Sequence, residues 1–436
     1  MVPVREAAAV APSSSGVPAA GYAEKGSSPV APGAHMRERE ADALMGVTAA
    51  SRRAGWGRFL LSWFAMPSAL LIALLIGAVM MLVLGANPVT GYVALLRGAF
   101  GGSYALSSTA VQAVPLLLVG VGICIAFRAN VFNIGGEGQI AIGGLAGAAT
   151  ALALPDLPSL VLIPLVLLAG AAGGAIWGAI PGIFKAKYNV NEILSTIMLN
   201  LVAVQVMNFL LAGPMVDQSP DSVGGLIPET KLLSANSQLP ILVPGTQLHL
   251  GVPIAVVVAV CVYVLLWRTS FGFQIRSVGL SRSASAYAGM PVKRTITMAM
   301  TLSGAMCGIA GAILVFGSIS HRMVTDGSLT GFTGSAGFNG IVVALFGGLN
   351  PLWTIFSAFF FGGLIVGGSA LQVATGVPSD LVTALSGIVV VLVVSLEYLR
   401  RRARARTIML AGPRAARPPR PPHHEPSPAA GGGGDE

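Results

Sequence analysis

FLLSWFAMPSALLIALLIGAVMMLVLGA, residues 59–86, runs from end to end without one charged side chain. A bilayer core about 30 Å thick is crossed by about 20 apolar residues in a helix rising 1.5 Å each, and this run is longer than that. No small-residue cleavage site follows a short apolar core, so the stretch reads as a true span rather than a secretory leader. Runs of the same kind recur along the chain. In bulk, 54% of the 436 residues are apolar and only 10% charged, with a mean hydropathy of +0.77, whereas soluble chains carry about a quarter of charged residues. A soluble enzyme is excluded, and the chain reads as an all-α polytopic membrane protein of the cell membrane.

Working outward by apolar run and breaker, further spans are expected near 110–127, 132–154, 159–184, 192–212, 251–267, 295–316, 338–348, 352–373 and 380–399. That makes about ten. The eighth is too short for a straight crossing and predicts a broken or re-entrant element. Residues 1–58 are rich in Ala, Pro, Gly and Ser and nearly free of aromatics, so a disordered cytoplasmic tail is expected before the transmembrane domain at 59–399. Residues 400–436 open on five arginines, continue rich in Pro and Gly, and read as a second disordered tail beside lipid headgroups.

Lys and Arg are retained on the cytoplasmic side of a membrane protein. With the N-terminus inside, the inner segments hold seven in the first tail, Arg128, Lys185, Lys187, five from Arg268 to Arg294 and eight in the last tail; the outer loops hold only Arg97, Lys231 and Arg322. Both ends are therefore expected in the cytoplasm, and the net charge of +9 is an orientation signal rather than a nucleic-acid surface. Ten spans divide as five plus five, which inverts one half against the other. Phe132-Asn133-Ile134-Gly135, leading to Gly143-Gly144-Leu145, has an echo in Phe338-Asn339-Gly340-Ile341, leading to Gly347-Gly348-Leu349.

Polar chemistry gathers in few places. Between Phe127 and Gln139 stand Arg128, Asn130, Asn133, Glu137 and Gln139 with three glycines, and Glu137 is the only acid from residue 59 to residue 154. Ionisable groups at membrane depth are costly and face a cavity or a partner. Asn130, Phe132, Asn133, Glu137 and Gln139, with Phe338 and Asn339 from the echo, are the candidate translocation path. The alternative is that Arg128 and Glu137 pair with each other or with the lipid interface and shape a turn. Between Arg276 and Arg294, Ser281 or Ser283 can cap a short Ala-rich helix ending at Gly289, with Pro291 barring its continuation. Such a helix suits the groove of a peripheral partner, or else forms a basic turn on anionic lipid.

Asn191 can cap the fifth span with Glu192 in its first turn, while Asn200, Gln205 and Asn208 lie deeper on roughly one face, toward a cavity or as interhelical glue. Gly170, Gly174, Gly178 and Gly182 make a packing seam, and Gly304 with Gly308 and Gly363 with Gly367 repeat the spacing. Cys124, Cys261 and Cys307 sit in apolar runs without a CxxC and read as buried, inert thiols rather than metal ligands. His321, in an outer loop, and His423 with His424 read as solvated. There is no GxxxxGK[ST] loop and no HExxH, so the chain is not expected to hydrolyse ATP or to bind a cofactor itself.

AFRANVFNIGGEGQIAIGG (126–144), NVNEILSTIMLN (189–200), SRSASAYAGMPVKRTITMAMTLSGAMCGIAGA (281–312) and GFNGIVVALFGGLNPL (337–352) resemble the permease subunits of bacterial ABC importers in the branched-chain amino acid and simple-sugar superfamily, nearest its nucleoside branch. The resemblance covers about 60–400. It implies a permease pairing with a second related permease, two cytoplasmic ATP-binding subunits and an extracytoplasmic solute-binding protein or lipoprotein, with no nucleic acid polymer as partner. It places ATPase coupling on Ser281, Arg282, Ser283, Ala284, Tyr287 and Gly289, and the path motif on Asn133, Glu137, Gln139, Phe338 and Asn339. For a neutral nucleoside, Phe132, Trp177 and Phe338 are stacking candidates. The rival expectation is a secondary carrier or channel without an ATPase, with Glu137 as its proton site.

Overall fold

The structure, a computed structural model, describes residues 71–217, 228–378, 380–385 and 387, 388, 391, 392 and 395. The chain divides into the units Met1–Ser62 and Trp63–Glu436, and the first, with the expected tails 1–58 and 400–436, lies outside the described residues. Among those residues the architecture is helical, with three isolated β-bridges in place of strands. The helices are α1 Leu71–Val83, α2 Pro88–Phe100, α3 Ser103–Arg128, α4 Gly136–Ala153, α5 Ser159–Tyr188, α6 Glu192–Ala212, α7 Gly251–Arg268, α8 Ser270–Leu280, α9 Arg282–Tyr287, α10 Val292–Phe316, α11 Ala336–Phe346 and α12 Pro351–Thr375. Six of them, α3, α5, α6, α7, α10 and α12, are long and apolar enough to cross a membrane, or seven if the bent pair α1–α2 counts as one span.

The first expected span does not run straight to its end. Its described part stops at Val83, and α2 leaves it at 119°. Asn87-Pro88 looks like a mere stop in the sequence, yet it is a start: the Asn87 side chain accepts from Val89 N at 2.9 Å and Pro88 fills the first helical position. The Tyr92 hydroxyl donates to the Leu74 carbonyl across the bend. The second span begins at Ser103 rather than near 110 because its polar first turns are satisfied locally, Ser107 Oγ donating to Tyr104 O and Thr109 Oγ1 to Ala99 O. The third begins at Gly136 rather than 132. The eighth is the short α11, and the tenth, 380–399, is described only in part.

α3 is the central post, with 78% of its most apolar stretch buried against 22% for α5 and 28% for α6 and α7. A helix apolar all round and buried all round has no outer face to make polar. α10 packs against α5, α4 and α3, and α12 against α3 and α2. The α5–α10 contact is made by glycine on glycine. A Cβ built on Gly308 would fall on the Gly170 carbonyl, one on Gly174 on the Gly304 carbonyl, and one on Gly143 on Gly308 itself; Gly178 and Gly182 face Met300. Cys124 and Cys307 are buried, whereas Cys261 is exposed on α7, because the apolar surroundings it shares with them belong to an outward face.

The seam separates backbone contact from side-chain contact. A Cβ on Gly308 meets fixed main chain, while one on Gly363 meets the far edge of the Phe100 ring at 3.0 Å, which can rotate away. Gly308→Ala should therefore lower the thermal unfolding midpoint in detergent with a cost of about 1–3 kcal/mol, and Gly363→Ala should lower it much less; equal shifts would contradict the seam.

Candidate functional site

α3 ends where Asn130 takes a left-handed backbone, φ 54°, and the chain then climbs through residues 131–135 before α4 begins. This irregular stretch lies at half depth, because Asn133 Nδ2 donates at 2.9 Å to the hydroxyl of Ser303, midway along α10. Backbone groups exposed at that depth must find partners inside the protein, and side chains supply them. Asn133 Oδ1 accepts from Gly135 N at 3.0 Å and its amide exchanges bonds with Gln139, Nδ2 to Oε1 at 2.9 Å and Nε2 to Oδ1 at 3.1 Å. From α6, Asn200 donates to Ile134 O and accepts from Gly138 N, both at 2.9 Å.

α11 begins at the same level and points the other way. α4 runs toward the end of the molecule where Gly147 meets Phe316, the last residue of α10; α11 runs toward the opposite end, where the Leu349 carbonyl accepts from Arg128 at the foot of α3. The two N-termini meet head to head, so close that a Cβ on Gly136 would stand 3.0 Å from Gly337 Cα. Helix N-termini carry partial positive charge and unpaired N–H groups. Glu137 lies between them, fully buried. Its Oε1 accepts from Phe338 N at 2.9 Å, and the Thr333 hydroxyl and the Gly337 amide lie beside the carboxyl group.

This geometry sorts the expected path residues. Asn133 and Gln139 are buried and bond each other, and Asn133 also takes the Gly135 amide across the break. Arg128 and Glu137 each hold a different carbonyl or amide, so the pairing considered for them is not what shapes the turn. Asn130 is exposed, and its carbonyl, not its side chain, is the group in use: Arg282 Nη2 donates to it at 3.0 Å. Phe132 is 43% exposed and packs edge-on against Phe127 at 5.0 Å. Asn339 lines a cavity of about 110 Å³ with Phe361, Leu364, Ile365, Ser369 and Thr383. Trp177 keeps its indole N–H buried with no hydrogen-bond partner.

The echo also changes register. Phe132 and Asn133 precede α4, whereas Phe338 and Asn339 lie inside α11. Aligning the helix starts, Gly136 with Ala336, pairs Phe132 with Phe332 and Asn133 with Thr333 instead. Asn200, Gln205 and Asn208 do not share a face: Asn200 is buried, Gln205 exposed, and Asn208 accepts from Thr325 Oγ1 at 2.8 Å. Ser303 and Thr333 were invisible as site residues, since single hydroxyls in apolar or loop sequence carry no spacing signal.

At the foot of the bundle the expected short helix is present as α9. Ser281 Oγ accepts from Ala284 N at 3.2 Å, the helix ends at Tyr287 rather than running to Gly289, and Gly289 takes φ 78° in the turn that follows. Ser283, Ala284 and Gly289 are exposed and Ser285 is buried, while Tyr287 is 98% and Leu280 89% exposed. Gly279 abuts the Arg128 carbonyl. Glu192, expected as a first-turn acid, also forms an ion pair with Lys185 at 2.9 Å, joining α5 to α6. At the far end Arg322 bridges Asp217 and Glu229, each at 2.7 Å, and ties 317–333 to the segment after α6. No group of three or more His, Cys, Asp or Glu able to hold a metal occurs among the described residues.

The family of branched-chain amino acid transport system permease components matches residues 105–394. The guanosine ABC transporter permease protein NupP of Bacillus subtilis (strain 168) is 36% identical over 332 residues, 76% of this chain and 93% of its own. The nucleoside ABC transporter permease protein NupB of Lactococcus lactis subsp. cremoris (strain MG1363) is 32% identical over 74% of this chain and 88% of its own. The glucose ABC transporter permease protein TsgB13 of Haloferax volcanii is 33% identical over 76% and 87%. No solved structure matches.

Glu137 offers a direct check on the joint. Glu137→Gln keeps an acceptor for the Phe338 amide and should unfold near the wild-type temperature. Glu137→Leu leaves that buried N–H without a partner, a cost of about 1–3 kcal/mol, and should lower the midpoint clearly. A Gln variant as unstable as the Leu variant would show that the charge, not the acceptor, holds the helices together.

Proposed function

The chain belongs to the family of branched-chain amino acid transport system permease components, and on that premise we propose that it is the membrane-spanning permease subunit of an ATP-binding-cassette importer for nucleosides or related simple sugars. It is a plasma-membrane protein and not an enzyme; ATP is used by separate cytoplasmic subunits. The nucleoside reading draws on the relatives named for guanosine and nucleosides, and the glucose permease among them keeps sugars within the class. Both classes are neutral and hydroxyl-rich. The cavity beside Asn339 is lined by that amide, the Ser369 hydroxyl and the Phe361 ring, with no charged group, which suits a stage on the path of such a solute.

The observation that carries the mechanism is a physical line from α9 to the half-depth joint. α9 presents Tyr287, and the end of α8 presents Leu280, almost wholly to solvent, as a docking knob for the ATPase subunit. Behind it Arg282 holds the Asn130 carbonyl. Asn130 opens the irregular stretch that leads to α4, and α4 is bound through Glu137 to α11. ATP-driven closure of the two ATPases displaces α9, and the strut passes that displacement to the two half-depth helices, opening the path alternately to either side. Ten crossings in two inverted halves, both ends inside, fit this scheme, with α4 and α11 as the short members and α1–α2 as the first crossing and its outer elbow. A second, related permease completes the pathway. The extracytoplasmic solute-binding protein docks on the loops braced by Arg322. In an ATPase-independent carrier Glu137 would move protons, yet it is fully buried and already engaged by Phe338.

Uptake of labelled guanosine, other nucleosides and glucose, compared side by side in cells with and without this chain, tests the substrate class. Tyr287→Asp places a charge on the docking knob and should lower uptake at least tenfold, roughly the loss of one aromatic anchor at an interface, while affinity of the binding protein for solute stays unchanged. Deletion of residues 283–288 should abolish uptake. Normal uptake in either variant, or concentrative flux by the chain reconstituted alone, would overturn the reading.

A further inference from the structure

We propose that the cleft between the starts of α8 and α10 binds the phosphodiester headgroup of an anionic phospholipid. The cleft has a volume of about 300 Å³ and is lined by Ser270, Phe271 and Gln274 from the first turn of α8 and by Pro291, Arg294 and Met298 at the start of α10. Two helix N-termini thus open on one space and each brings partial positive charge, with Gly272 N held by Thr269 Oγ1 and Val292 N by the Met290 carbonyl. Arg294 adds a full charge and a planar donor fork that matches phosphate.

The two side-chain donors of the cleft are uncommitted. Among the described residues Arg294 and Gln274 have no side-chain hydrogen bond or ion pair. The neighbouring bases are employed: Arg276 lies over the Trp267 ring at 5.9 Å and Arg282 holds the Asn130 carbonyl. From Lys231 to Thr325 the sequence contains no Asp or Glu, so nothing along this length neutralises Arg294 or would attract the amine of a zwitterionic headgroup.

The cleft also has a direction. Arg294 and Met298 stand four residues apart on one face of α10, so Met298 lies about 6 Å farther along the helix, inside a span long and apolar enough to cross the membrane. Met298 is 37% exposed, and with Phe271 it continues the cleft from the charged mouth into apolar surface. A phosphate joined to an acyl chain satisfies both ends; free phosphate satisfies only the first. The proposal depends on the membrane reading and not on which solute is carried.

The test uses the assembled transporter, purified from membranes containing phosphatidylglycerol and phosphatidylethanolamine, with bound lipid read by native mass spectrometry. Wild type should retain phosphatidylglycerol in preference to phosphatidylethanolamine. Arg294→Glu should lower that retention at least about fivefold, in line with the contribution of a basic side chain at an anionic surface. Met298→Trp, which leaves charge unchanged and fills the apolar end, should lower it too. Lys293→Glu makes the same charge change one residue outside the lining and should retain lipid. Should Arg294→Glu fail to assemble, Arg294→Gln takes its place. Equal loss in Lys293→Glu would mean a diffuse basic surface, and displacement of the lipid by excess inorganic phosphate would mean an anion site without a lipid chain. An assembled complex holding no lipid would assign the cleft to a protein interface. Each of these overturns the proposal.

Discussion

The fold turns on two helix N-termini that meet at half depth with a carboxylate between them. Brought head to head in a medium that solvates poorly, the starts of α4 and α11 would leave unpaired N–H groups and like partial charges facing one another. Glu137 answers the first of these in part: one of its oxygens takes the Phe338 amide, while the other is buried without a hydrogen-bond partner. Around it Asn133 takes the Gly135 amide and Asn200 holds Ile134 O and Gly138 N, while Gln139 and Ser303 fix the Asn133 side chain.

The remaining architecture is rigid where it must be. α10 lies on α5 and α4 through glycines whose missing side chains bring main chain onto main chain, and close approach of this kind replaces the hydrophobic driving force that lipid does not supply. The peripheral helices α5, α6 and α7 bury a single stripe and leave the rest outward. The centre of the chain is thus its most tightly packed part, and its short helices lie at half depth and at one end.

Much of this was readable in the residues. Composition and apolar runs identify the class, the density of polar residues between Phe127 and Gln139 marks the break, the shortness of the run near 338–348 marks α11, and Ser281 with Gly289 marks α9. What could not be read has physical reasons. Asn87-Pro88 signals both an end and a beginning, and the sequence does not say which, so α2 was missed. Polar side chains at membrane depth suit a solute path and a repaired backbone equally well, and residue type alone does not show that Asn133 bonds Gly135 N while Asn339 lines a cavity.

The strut between α9 and the break has unequal ends. On one side it depends on the guanidinium of Arg282; on the other it ends on the main-chain oxygen of residue 130, which every amino acid possesses. Mutational drift at position 130 cannot delete the acceptor so long as the left-handed turn survives, a condition Gly or Asp also meets, while drift at 282 removes the donor outright. Across evolutionary time the two positions should thus tolerate very different alphabets, although they share a single bond.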